Sequence, residues 1–129
     1  MERFTVSASL KHKEKIRETI ETLKELGVVA LFPNLDSGVA KEDVTLAFMK
    51  QLEAGHFEAI VNSEALYVIC PEGHVGTLVS VEVGYAHATG KAIIFSEKPE
   101  DLGLQALATT YISLDNLGEL KDFIPPTSN

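Results

Sequence analysis

Ala65-Leu66-Tyr67-Val68-Ile69-Cys70, running into Pro71-Glu72-Gly73-His74-Val75-Gly76-Thr77, decides how the rest of the chain is read. An unbroken apolar run of this length, rather than an alternating one, describes a strand buried on both faces, as in a parallel sheet covered by helices. The loop behind it carries two glycines and leads into a helix expected from about Thr77 to Thr89, closed by Gly90. A second apolar strand, Ala92-Ile93-Ile94-Phe95, follows directly. Strand, loop, helix and strand make a βαβ unit.

Working outward, Phe4-Thr5-Val6-Ser7-Ala8 is short and rich in β-formers, and Ile16, Ile20, Leu23 and Leu26 recur at helical spacing within Lys11 to Leu26. Gly27 suits the end of that helix. Val28-Val29-Ala30-Leu31-Phe32, before Pro33, reads as a strand buried on both faces. Asn34 to Gly38 is turn-forming. Val44, Phe48 and Leu52 mark one face of a further helix that should stop near Gly55, with a helical turn from His56 to Asn62 continuing it at an angle. Beyond Phe95, Ser96 to Gly103 is polar, Leu104 to Ala108 suits a turn of helix, and Tyr111-Ile112-Ser113 suits an edge strand. A last helix from about Leu117 to Phe123 precedes a frayed tail, so one domain over 1–124 and a flexible 125–129 are expected. The pattern predicts an α/β protein, a flavodoxin-like or Rossmann-like three-layer domain with a five-stranded, mainly parallel sheet in the order 2-1-3-4-5. Ligands of such sheets bind beyond the carboxyl ends of the strands at the switch point, here Ser7 to Lys11 and Pro71 to Glu82.

A length of 129 residues fits one domain of ordinary size, and 45% apolar with 23% charged residues excludes disorder along most of it. Eleven basic against nineteen acidic residues leave a charge of −8, which repels phosphate backbones and anionic lipid. Neither a nucleic-acid polymer nor a membrane is an expected partner. A small anion is still admissible, because helix N-terminal amides bind one locally whatever the net charge. Cys70 is the only cysteine and is read as a small core residue, so no disulfide framework arises and a reducing cytoplasm is the default location. His12, His56, His74 and His87 have no metal-ligand spacing; no metal and no cofactor are expected.

Gly73 to Ala86 joins the glycine loop to the helix at the expected crevice. Gly73 and Gly76 permit close backbone approach, and the amides near Gly76 and Thr77 can receive an anion. Glu82 stands among Val81, Val83, Gly84 and Ala86, either facing solvent on a half-buried helix or turned into the crevice.

Together, Ser7-Ala8-Ser9 after the opening strand, the glycine loop, and Glu82-x-Gly84-Tyr85-Ala86 followed by Gly90-Lys91 and a strand resemble the nucleoside 2-deoxyribosyltransferase superfamily, which includes 2′-deoxynucleoside 5′-phosphate N-hydrolases. The resemblance covers nearly the whole chain, with its specific part in Gly76 to Lys91. It implies that Glu82 is the nucleophile that attacks the anomeric carbon of deoxyribose, with water giving hydrolysis and a second base giving transfer. A carboxylate suits that task, since it stabilises oxocarbenium character and can form a glycosyl-enzyme ester. Where the family commonly carries an aspartate, this chain has His56, either a proton donor near neutral pH, the mark of another substrate, or a surface residue. Glu64 likewise replaces a common aspartate.

Ser7, Ser9 and Lys11 are candidate contacts to a 5′-phosphate or a ribose hydroxyl, with helix capping as the alternative for Ser9. Tyr85 has two readings, beside a base or in the core. The resemblance also implies a homodimer in which a residue such as Gln105 reaches the partner's site, and a small-molecule nucleoside or nucleotide as ligand. The reading from another class is a nucleotide-sensing or binding module of the same fold without turnover. Flavodoxin-like electron transfer ranks last, because no flavin phosphate loop is present.

Overall fold

Alternation along the strands sorts their side chains onto two sheet faces, and the helices follow from that sorting. In the computed structural model, which describes residues 3–33, 35 and 44–125, the order is β1 Arg3–Ser7, α1 Lys13–Glu25, β2 Val29–Leu31, α2 Leu46–Val61, β3 Ala65–Val68, α3 Thr77–Ala88, β4 Ala92–Phe95, α4 Leu102–Ala106, β5 Thr110–Tyr111 and α5 Gly118–Lys121. The strands form one five-stranded sheet, β2-β1-β3-β4-β5, and every neighbouring pair is parallel. This is the expected order, and the sheet is wholly rather than mainly parallel.

Phe4 and Val6 of β1, Ala65 and Tyr67 of β3, and Ala92 and Ile94 of β4 point to one face, where Ile16 and Leu23 of α1 and Leu120 of α5 cover them. Leu66, Val68, Ile93 and Phe95 point to the other, against Ile60 of α2 and Val79, Val83 and Ala86 of α3. The buried Tyr67 satisfies its hydroxyl by donating to the Ile112 carbonyl at 2.7 Å. Cys70 is buried beside Ser96, whose hydroxyl accepts from its backbone N–H at 2.9 Å, as the core reading anticipates.

Two expectations need correction. β2 is an edge strand and only half-buried, not enclosed on both faces; its apolar run pairs on one side alone, with β1. Gly55 does not stop α2, which runs unbroken from Leu46 to Val61. Its cost of roughly 1 kcal/mol against alanine is outweighed by the packing of Leu52, Ala59 and Ile60 on either side. Within the last expected helix, α5 covers only Gly118–Lys121, and a separate 3₁₀ turn, Leu114–Asn116, precedes it. The turn expected over 34–38, apart from Leu35, and the tail beyond Pro125 lie outside the described residues.

Candidate active site

At the carboxyl end of β1, the sheet face under α2 and α3 changes from apolar to polar. Thr5 and Ser7 point to this face and are fully buried, Thr5 sharing a hydrogen bond of 2.6 Å with Ser63. Ser7 Oγ donates to Glu82 Oε1 at 2.6 Å across 75 residues of sequence.

Glu82 faces inward because of where it falls on α3. The buried residues of this helix are Val79, Glu82, Val83 and Ala86, so the carboxylate occupies a position in the apolar stripe. Only 4% of the residue is exposed. The crevice reading of Glu82, not the solvent reading, describes the structure. On α2 the buried positions are Leu52, His56, Ala59 and Ile60, and His56 therefore belongs to the packed side of its helix rather than to the surface. Its Nδ1 lies 3.7 Å from Glu82 Oε1 and has no hydrogen-bond partner, while the ring meets Phe32 edge-on at 4.7 Å.

These groups open on a cavity of about 330 Å³ between the end of β1, α2 and the start of α3. Its wall is mostly apolar, with Phe32, Phe48, Met49 and Leu52, and its polar groups gather at Glu53, His56 and Glu82. Gly76 and Thr77 also line it, and α3 begins at Gly76 without a side-chain cap. The first-turn amides thus bring partial positive charge to the cavity edge.

Burial raises the Glu82 carboxyl to about 8; Ser7 opposes the rise by hydrogen bonding, and the nearby Glu53 carboxyl adds to it. Burial lowers His56 to about 4. The imidazole is therefore held toward its neutral form and stands 3.7 Å from Glu82 without a hydrogen bond to it, not as an imidazolium in an ion pair.

Of the residues singled out in the sequence, Ser7, Ser9, His56, Gly76, Thr77 and Glu82 come together around the cavity. Ser9 also accepts from the Lys11 backbone N–H at 3.4 Å, the capping role weighed for it. Lys11 belongs to a neighbouring depression with His12, Lys15 and His74. Gly73 serves the loop: it has φ +77°, and a Cβ there would stand 2.8 Å from the Lys98 carbonyl oxygen. Tyr85 packs on Phe57 at 4.6 Å and does not line the cavity, which favours its packing reading. Gln105 donates to the Pro99 carbonyl at 2.8 Å, away from the cavity of its own chain. Sequence reasoning missed Glu53, Phe32 and Met49. Glu53 carried one signal, its position three residues before His56, which places the two on one helix side. Among the described residues, no group of three or more His, Cys, Asp or Glu side chains suits a metal ion, and no helix is long and apolar enough to cross a membrane.

Fold and cavity together define a three-layer α/β domain with a carboxylate-bearing crevice at its switch point. No profile of a known protein family matches the sequence, and no curated protein is significantly similar to it. Solved structures do share the fold. The 2-deoxyribosyltransferase of Bacillus psychrosaccharolyticus superposes with a TM-score of 0.70 at 14% identity, over 95% of this chain and 92% of that one. The CMP N-glycosidase BcmB of Clostridium botulinum gives 0.60 at 19% identity, over 95% and 100%. A conserved protein from Enterococcus faecalis V583 gives 0.61 at 13%, over 93% and 99%.

Proposed function

We propose that this protein cleaves the N-glycosidic bond of a nucleoside or nucleoside 5′-monophosphate, or transfers the sugar to a second base, with Glu82 as nucleophile. The observation that carries the reading is the buried Glu82 carboxyl, held by Ser7 at the floor of a ligand-sized cavity. The shared fold with a deoxyribosyltransferase and a CMP N-glycosidase supports it.

As a carboxylate, Glu82 attacks C1′ of the sugar. The C1′–O bond forms, the C1′–N bond breaks, and the electron pair leaves on the base nitrogen. Water then supplies hydroxyl to C1′ and a proton to the released base, freeing Glu82; in transfer, a second base takes the place of water. Ser7 steadies the charged form of the nucleophile, and the apolar wall keeps bulk solvent from the developing positive charge on the ring. Neutral His56 offers Nδ1 as a hydrogen-bonding group to whatever occupies the cavity. Ser9, Gly76 and Thr77 line the end suited to a 5′-hydroxyl or phosphate.

The assembly that fits this reading is a homodimer. Leu46, Leu78 and Val81 are exposed apolar residues on α2 and α3, at 74%, 44% and 49%, and light scattering at micromolar concentration tests whether a second copy covers them.

Incubation with a panel of ribo- and deoxynucleosides and their monophosphates, followed by chromatography, should show free base with the wild type and none with Glu82→Gln. Absence of base in every wild-type reaction, or full activity of the variant, would sink the assignment. A binding or sensing module is favoured by one observation, the burial of Glu82, which disfavours the charged form a nucleophile needs. Thermal stabilisation by nucleotides without turnover would support that reading instead.

A further inference from the structure

Beside Glu82 stands a second carboxyl that the chemistry above leaves without a task. Glu53 lines the same cavity from α2, with its carboxyl near that of Glu82. Glu53 Oε2 is buried and has no hydrogen-bond partner. A buried carboxyl oxygen in that condition is costly to keep unless a ligand brings it a donor.

Stereochemistry identifies the donor, given the N-glycosidic reading on which this inference rests. In a β-nucleoside the base and C5′ stand on one face of the furanose ring, and the 2′ and 3′ hydroxyls stand on the other. Displacement at C1′ brings the nucleophile in from the face opposite the base. That is the hydroxyl-bearing face. A group touching Glu82 is therefore placed beside the sugar hydroxyls and away from the leaving base.

We propose that Glu53 is a substrate-binding residue that selects the sugar: Oε2 accepts a hydrogen bond from a 2′ or 3′ hydroxyl. His56, one turn further along α2, keeps its own unpartnered Nδ1.

The test compares kcat/KM for a ribonucleoside, its 2′-deoxy and its 3′-deoxy analogue, all carrying the same base, in the wild type, Glu53→Leu and Glu53→Gln. The wild type should cleave the analogue lacking the bound hydroxyl about tenfold more slowly or worse. In Glu53→Leu that ratio should collapse to within about threefold, because the hydroxyl has lost its acceptor. Glu53→Gln keeps a carbonyl oxygen for the hydroxyl, and so should keep the discrimination. By removing the charge beside Glu82, it should also move the acid limb of the rate profile to lower pH, a change that a merely structural residue would not produce. Discrimination surviving in Glu53→Leu, or a wild type indifferent to both hydroxyls, overturns the assignment while leaving base release intact. Should Glu53→Leu fail to fold, Glu53→Gln decides: an unmoved acid limb or lost discrimination overturns it. No base released by the wild type from any of the three sinks the N-glycosidic reading, and this inference with it.

Discussion

On one side of β1, Phe4 and Val6 sit in an apolar cluster with Ile16, Leu23 and Tyr67; on the other, Thr5 and Ser7 hold their hydroxyls against Ser63 and Glu82. All four β1 side chains are fully buried. Burial is the same and its energetics are opposite. The first side gains from every methylene taken out of water, whereas the second must satisfy each polar atom it encloses and still leaves Glu53 Oε2 and His56 Nδ1 without partners. One strand therefore carries stability on one face and chemistry on the other.

The sharpest way to break this contrast is to change both sides in turn. Phe4→Ala should cost about 3–5 kcal/mol of stability by chemical denaturation, since it empties a fully buried ring site. Glu82→Gln should leave stability within about 1 kcal/mol while lowering base release roughly a thousandfold or more. Equal losses of stability in the two variants would erase the distinction.

Titration sharpens it next. Glu82 is raised from 4.5 to about 8, so between these values the folded state holds more protons than the unfolded one and stability falls as pH rises. His56, lowered from 6.5 to about 4, works the other way, and stability rises with pH through that window. Above pH 6.5 the histidine no longer contributes. From pH 6.5 to 8, denaturation should show a decline of at most about 1.4 kcal/mol per pH unit, absent in Glu82→Gln. Base release should rise over the same interval, as Glu82 ionises.

Much of this architecture was legible. Ala65 to Cys70 and Ala92 to Phe95 are too uniformly apolar for a sheet with one wet face, and the glycine loop between β3 and α3 lies where such sheets bind ligands. Glu82 was readable as a charge inside an apolar stripe. Glu53 carried only its spacing from His56, because a glutamate beside Gln51 and Ala54 looks solvated until the neighbouring helix is in place. β2 misled for the converse reason: an apolar run states that residues avoid water, not whether a sixth strand will come to lie beside them.

A smaller effect is expected at Ser7→Ala. Loss of a hydrogen bond to a charged carboxylate is worth about 1.5–3 kcal/mol, so base release at pH 7 should drop roughly ten- to a hundredfold, and the acid limb should move to higher pH because Ser7 holds Glu82 down. The smallest belongs to Lys11→Ala. Lys11 stands in the adjoining depression rather than on the cavity wall, so calorimetry should find a monophosphate weakened about two- to threefold and a nucleoside unchanged.

The Ser7–Glu82 hydrogen bond also says something about how the molecule comes into being. It joins residues 75 apart in the chain, and the carboxyl it holds also lies 3.7 Å from His56 of α2. Contacts that close so long a loop form late, after local helices have appeared and the parallel strands have paired. Recovery of catalysis during refolding should therefore trail the return of helical circular dichroism, which makes activity a reporter of the last event in folding.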